Sequence, residues 1–334
     1  MKAVGLYQYL PIENEESLQD VDIEKPNATG RDLLVAVKAI SVNPVDVKVR
    51  SPKDKKEDSP RILGWDAAGT VVAVGEEVTQ YAPGDDVFYA GDITQPGTNS
   101  EFHLVDERIV GRKPTSLSFA EAAALPLTGI TAWEALFERL NISKTGEDAG
   151  KSILIIGGAG GVGSIAIQIA KQVAQLRVIA TASRPETTDW CRKMGADVVI
   201  NHRQNLAHQI DEVDYILCLN STDMHWQAMA EIIKPQGMIC SIVETPQPMD
   251  LGILKHKSAG FVWEFMFTRS MHHTDDMDQQ RQLLNDISQL IDTHVLRTTC
   301  NDIVKPISAQ TLRQVHSRIE TGSSIGKIVL AEWA

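Results

Sequence analysis

Cysteine is scarce and scattered in this 334-residue chain: Cys191, Cys218, Cys240 and Cys300 form no C-x-x-C pair. That spacing excludes a disulfide framework and a cysteine-rich zinc lobe. Long apolar runs are also missing. No stretch of about 18 apolar residues occurs, and the first residues, MKAVGLYQYLPIENEE, lack a signal-peptide core, so a membrane span is excluded and a cytoplasmic protein is expected. Positive charge is in deficit, with 32 basic against 44 acidic residues and a net charge of -12. A nucleic-acid or anionic-membrane surface is therefore disfavoured, and small molecules are the expected partners. There is no internal repeat or low-complexity tract, and the length favours two domains.

What the chain does have is concentrated in SILIIGGAGGVGSIAIQIAKQVA, residues 152–174. Ile153 to Ile156 form a short apolar run suited to a strand buried on both faces. Five of the next seven residues are glycine, and Val162, Ile165, Ala166, Ile169, Ala170 and Val173 then recur at helical spacing. Gly158, Gly160 and Gly163 fit the G-x-G-x-x-G spacing: one glycine for the tight turn, one for approach of a pyrophosphate, one for close helix packing. The amides at the helix start, around Gly161 and Val162, face the anion. A strand before and a helix after are the context that distinguishes a dinucleotide site from an ordinary glycine-rich loop.

Around this centre two regimes are readable. Residues 1–125 alternate short branched runs with turns, predicting a small β-barrel with strands at 2–7, 32–41, 69–74, 86–90 and 100–105. The charged stretch 47–61, interrupted by Pro52 and Pro60, is predicted to be a solvated loop. Ser118, with Glu121 three residues on, predicts a capped helix start, and Pro126 interrupts that helix. Residues 126–265 alternate strands and helices, the pattern of a doubly wound parallel sheet. A connecting helical region is expected over 266–294. Residues 295–334 end in a strand that returns to complete the first domain.

These motifs carry a family resemblance. SVNPVDVKVR (41–50), LGWDAAGTVVAVG (63–75), YAPGDDVF (81–88), ALPLTGITAWEAL (124–136), GGAGGVG (157–163), GADVVINH (195–202) and GKIVL (326–330) resemble the medium-chain dehydrogenase/reductase superfamily along nearly the whole chain. The nearest likeness is to the quinone oxidoreductase-like branch, including proteins labelled zinc-type alcohol dehydrogenase-like. The fold class implied is α/β, a GroES-like β-barrel catalytic domain with a Rossmann domain. Zinc-dependent relatives place cysteine where this chain has Asn43, histidine where it has Trp65, a cysteine near Ala124 and a four-cysteine lobe between Tyr89 and Phe102. None of these is present, so no zinc is expected. The group His272, His273, Asp275, Asp276 and Asp278 reads as a hydrophilic loop and an acidic first helical turn.

NADP(H) is the expected cofactor. No carboxylate stands at Ala182 or Ser183 to bind a ribose 2′-hydroxyl, whereas Ser183 and Arg184 offer a donor and a permanent cation to a 2′-phosphate. His202 stands where relatives carry a tyrosine near that phosphate, and Asn220 follows the fourth strand where the nicotinamide ribose is expected. By resemblance Asn43 faces the nicotinamide. Lys48 fits the N-P-V-D-x-K-x-R form of alkenal/enone reductases, and Thr128 is a further donor. Trp65 and Tyr89 are expected to wall a substrate pocket or fill the barrel core. Together these residues predict hydride transfer from NADPH to a quinone, enone or enal without metal. A carbonyl reductase or alcohol dehydrogenase remains an alternative, as does a non-catalytic NADPH-binding protein of crystallin-like or redox-sensing type. A homodimer is expected, joined through 224–243.

Overall fold

Alternation of buried branched residues sets up the first region of the computed structural model, which describes residues 1–334. Its strands are β1 (Lys2–Tyr9), β2 (Gln19–Asp22), β3 (Asp32–Ser41), β4 (Lys53–Ile62), β5 (Asp66–Val74), β6 (Asp86–Tyr89), β7 (Phe102–Asp106) and β8 (Val110–Arg112). β3 is the hub, because Leu33, Val35, Val37 and Ile40 are buried and its ten residues pair antiparallel with both β5 and β7. Gly69 of β5 lies so close to β3 that a Cβ there would stand 2.3 Å from the Ala36 carbonyl oxygen.

Residues 47–61 are not the loop their charge suggested. Asn43 caps α1 (Pro44–Arg50), with Pro44 in the first turn, where a missing N–H costs nothing. Asp46 accepts from the Asn43 amide at 2.7 Å. β4 then pairs antiparallel with β1. Its charges are accommodated on an edge strand, where Lys53 Nζ sits 4.0 Å from the centre of the Tyr9 ring and Glu57 accepts from the Tyr9 hydroxyl. Ser118 and Glu121 close a capping box on α2 (Phe119–Ala123), which stops short of Pro126.

α3 (Pro126–Trp133) leads into a six-residue π-helical segment, Glu134–Arg139. There follow β9 (Ser152–Ile156), α4 (Gly161–Gln172), β10 (Arg177–Thr181), α5 (Pro185–Met194), β11 (Val198–Ile200), β12 (Val213–Cys218), α6 (Thr222–Ile232), β13 (Ile233–Ser241) and β14 (Gly260–Trp263). These strands form one parallel sheet in the order β11-β10-β9-β12-β13-β14. β9 lies centrally and is buried throughout, as its unbroken apolar run requires. Gly195 ends α5 at φ 115°, a conformation open to glycine.

The aromatic run FVWEFMF supplies β14. Since β14 covers β13, the segment 224–243 has no free sheet edge, and the exposed edge belongs to 260–263.

The chain then forms α7 (Thr268–His272), α8 (Gln279–Asp292), β15 (Cys300–Val304), α9 (Ala309–Glu320) and β16 (Lys327–Ala331). β16 inserts between β15 and β3, completing the barrel sheet. α8 is no connector: it rests on β8, so close that a Cβ on Gly111 would lie 2.5 Å from Leu284 Cβ. Asp292 fastens its end to Thr115 and Ser116. The compact units are accordingly 1–127 with 267–334, and 128–266. No helix is long and apolar enough to cross a membrane.

Candidate functional site

In the second unit the turn from β9 to α4 is shaped by what its glycines omit. Gly157 has φ 89°. A Cβ on Gly158 would meet Ala180 Cβ at 2.8 Å, and one on Gly163 would lie 2.4 Å from the Gly157 carbonyl oxygen. Both are packing glycines. Gly160 differs, because the only atom near its absent Cβ is the Gly157 oxygen at 3.6 Å, so its missing side chain leaves open space. The turn is held from β10, with Gly157 N donating to Thr181 Oγ1 (3.0 Å) and Gly158 N to the Thr181 carbonyl (3.2 Å). Gly160 caps α4, leaving the amides of Gly161, Val162 and Gly163 without partners in the preceding turn of helix. An open space ringed by such amides fits a pyrophosphate.

The end of β10 opens on a pocket of about 370 Å³ lined by Ala182, Ser183, Arg184, Asp189, Arg192 and Asn201, among others. Arg184 Nε stands 3.1 Å from Glu186 Oε1. Both side chains are partly exposed, so this pair is worth under about 1 kcal/mol, and a phosphate dianion competes with it readily. Arg192, on the same pocket wall, was not singled out from the sequence. His202 is half-buried, and burial together with Arg203 lowers its pKa, which favours the neutral ring. Asn220 is exposed after β12, its Oδ1 accepting from Ser221 Oγ (3.1 Å). Thr128 is buried on α3.

In the first unit the residues flagged in the barrel are largely interior. Asn43 is 1% exposed. Its Nδ2 donates to Asp66 Oδ2 (2.8 Å) and its Oδ1 accepts from Lys327 Nζ. Lys327 also reaches the Val42 carbonyl (3.0 Å) and Asp66 Oδ2 (3.1 Å), while Leu127 N donates to Asp66 Oδ1 (2.8 Å). This network joins β3, β5 and β16. Lys327 was visible only as part of the GKIVL motif, and nothing local in the sequence pairs it with Asp66. Asp46 lies beside it, and burial pushes its carboxyl up to about 7 against the pull of the Asn43 amide and the Lys327 ammonium.

Trp65 and Tyr89 fill the barrel core instead of presenting surface to a ligand. Trp65 is 1% exposed, donates to the Asp92 carbonyl and meets Phe267 edge-on. Tyr89 stacks on His103 and is fully buried. Lys48, by contrast, is exposed on α1.

The donor set at the position of the relatives' metal does not fit zinc. Asn43 offers an amide bound on both sides, Trp65 an N–H donor, and Asp66 a carboxylate that already holds an ammonium. Nowhere do three or more His, Cys, Asp or Glu side chains cluster as a metal-binding group. In the loop before α8, Asp276 and Asp278 are instead paired with Arg269 and Arg281.

Residues 29–132 match the alcohol dehydrogenase GroES-like domain and residues 194–330 the zinc-binding dehydrogenase family. A zinc-type alcohol dehydrogenase-like protein of Staphylococcus aureus is 46% identical over 336 residues, covering 99% of each chain. A crystal structure from Rhizobium etli, provisionally described as a zinc-dependent alcohol dehydrogenase, superposes with a TM-score of 0.94 at 50% identity, covering 100% of this chain and 98% of the other. The 2-methylene-furan-3-one reductase of Solanum lycopersicum is 32% identical over 98% of this chain and 76% of its own.

Proposed function

The chain belongs to the medium-chain dehydrogenase/reductase superfamily and is an oxidoreductase; from that premise we propose that it is an NADPH-dependent, zinc-independent reductase of α,β-unsaturated carbonyls or quinones. The observation that carries this reading is the pocket after β10, where Ser183 and Arg184 stand in place of the carboxylate that selects NADH. The tomato relative, named for reducing an exocyclic enone, supports the substrate class.

When bound, NADPH supplies a hydride to the β-carbon of the acceptor. The amides of Gly161, Val162 and Gly163 would hold the pyrophosphate, and Ser183, Arg184 and His202 would receive the 2′-phosphate. Asn220 and Thr128 orient the nicotinamide end. Asn43 positions the start of α1 through Asp66 and Lys327, and Lys48 on that helix is the donor that steadies the developing oxyanion or returns a proton. Reducing an activated double bond asks less of the protein than stabilising an alkoxide, which is why the ligand-poor barrel suits it. The open edge of β14, flanked by exposed Trp263 and Phe265, supports pairing of two copies into a homodimer.

Chelator-treated protein is expected to oxidise NADPH with a panel of enones, enals and quinones, and to bind NADPH more tightly than NADH. Arg184→Ala should weaken NADPH about tenfold or more and leave NADH unchanged. Equal dissociation constants for the two nucleotides overturn the cofactor assignment. Stoichiometric zinc, with activity lost on chelation, favours an alcohol dehydrogenase.

A further inference from the structure

Inside the second unit lies a charge cluster with no part in the scheme above. Glu134, the first residue of the π-helical segment, and Glu264, the first after β14, have fully buried side chains. Arg139 Nε lies 2.8 Å from Glu264 Oε2, whereas its terminal nitrogens stand 3.6 Å from Glu134 and 3.7 Å from Glu138. The ionisable groups facing the cluster are Glu134, Glu138 and Arg139 from the π-helical segment, Cys240 from β13, and Glu264. One guanidinium therefore confronts two buried carboxyl groups, with a third at its rim. Two carboxylates with fully buried side chains exceed the charge of the one partly exposed guanidinium beside them, and a proton held between them removes that excess.

The location gives this a purpose. Glu264 N donates to the Ser241 carbonyl (2.9 Å), so Glu264 continues the β13–β14 ladder past its last residue pair. The carboxyl ends of parallel strands are where such sheets bind ligands. We propose that Glu134 and Glu264 are a positioning pair for the bound dinucleotide: they share one proton beside Arg139 and in that form pin the end of β14 to the π-helical segment. This rests on the reading that NADPH lies along the carboxyl edge of the sheet. Burial, with Glu134 next to it, holds the Glu264 carboxyl well above the usual carboxylate range, so the proton is retained at neutral pH.

The sign of the pH effect follows. The folded chain keeps a proton that the unfolded chain releases, so this pair's stabilisation is complete in acid and is lost as pH rises toward the pair's raised value. Glutamine at 134 supplies the donor permanently.

The test uses full-length wild type, Glu134→Ala, Glu134→Gln and Glu264→Gln, with melting of the nucleotide-free protein followed from pH 5 to pH 10 and NADPH titrated over the same range. Glu134→Ala should melt lower and bind NADPH more weakly, and Glu134→Gln should restore both. The melting temperature of Glu134→Gln should gain on wild type by several degrees as pH rises. Above the pair's ionisation, wild-type NADPH affinity should fall by up to about tenfold per pH unit while the Gln variants stay flat. Melting curves of Glu134→Gln that track wild type at every pH overturn the shared proton. A pH-dependent melting gap with parallel NADPH affinities overturns the positioning role. Failure of wild type to bind NADPH at any pH overturns the cofactor reading and the positioning role together, while the melting series still judges the proton.

Discussion

Each unit holds a cluster in which two buried carboxyl groups meet one cation, and the two clusters dispose of the surplus negative charge differently. In the barrel the carboxyls have separate partners: Asp66 takes the Lys327 ammonium, the Asn43 amide and the Leu127 N–H, while Asp46 accepts from the start of α1. In the parallel-sheet unit the carboxyls of Glu134 and Glu264 both approach a single arginine, Arg139. Dividing the charges fastens three strands together. Opposing them creates a group that has to hold a proton. A buried carboxyl with an ammonium of its own, such as Asp66, is a fastening, whereas one that shares a cation or lacks its own, such as Glu264 or Asp46, is a titrating group.

The sharpest way to break the comparison is Lys327→Met, which strands the Asp66 carboxylate in the core. A loss of about 3 to 5 kcal/mol is expected in chemical denaturation, with Asp66→Asn/Lys327→Met recovering most of it. A loss no larger than that of an exposed ion pair would show that the network fastens nothing. Arg139→Met should cost less, about 2 to 3 kcal/mol near pH 8, since its carboxyls can take up a second proton. Denaturation repeated near pH 5 should recover much of that loss, and a deficit independent of pH contradicts the shared-proton account.

A third test concerns Asp46, whose carboxyl is pushed up to about 7 by burial. The folded chain holds this proton where the unfolded chain gives it up. Its stabilising contribution is therefore complete below the ordinary aspartate value and is lost as pH rises to about 7. Against Asp46→Asn, which can still accept at the helix start, wild type should lose stability steadily between pH 4 and about pH 7 and level off above it. A constant difference across that range removes Asp46 from the titrating groups.

Legibility in the sequence followed the range of the physics. The glycine turn, the capping box at Ser118, the Gly195 stop and the alternation of the parallel sheet are local patterns, and the structure places them close to where the sequence suggested. β4 escaped detection because an edge strand tolerates charge that a central strand would not. β14 escaped because FVWEFMF has neither a strand's alternation nor a helix's period. The candidate site divides in the same way. Gly158, Gly160 and Ser183–Arg184 lie on one unit, whereas Asn43 meets Lys327 across 284 residues and Glu264 meets Arg139 from the far end of its own unit. Trp65 and Tyr89 show the same limit, since an aromatic residue beside a motif carries no mark of whether it faces a cavity or a core.

The placement of β16 has a consequence for the order of assembly. Asp66 emerges from the ribosome 261 residues before the lysine that neutralises it, and β3, already paired with β5 and β7, waits longer still for β16. Residues 128–266, by contrast, are complete as a contiguous segment well before β16 is made. In a nascent chain residues 128–266 can therefore be complete while the barrel is still unfinished. Until β16 is made, one side of β3 and the Asp66 carboxylate lack their partners, so closure of the barrel sheet waits on residues 327–331.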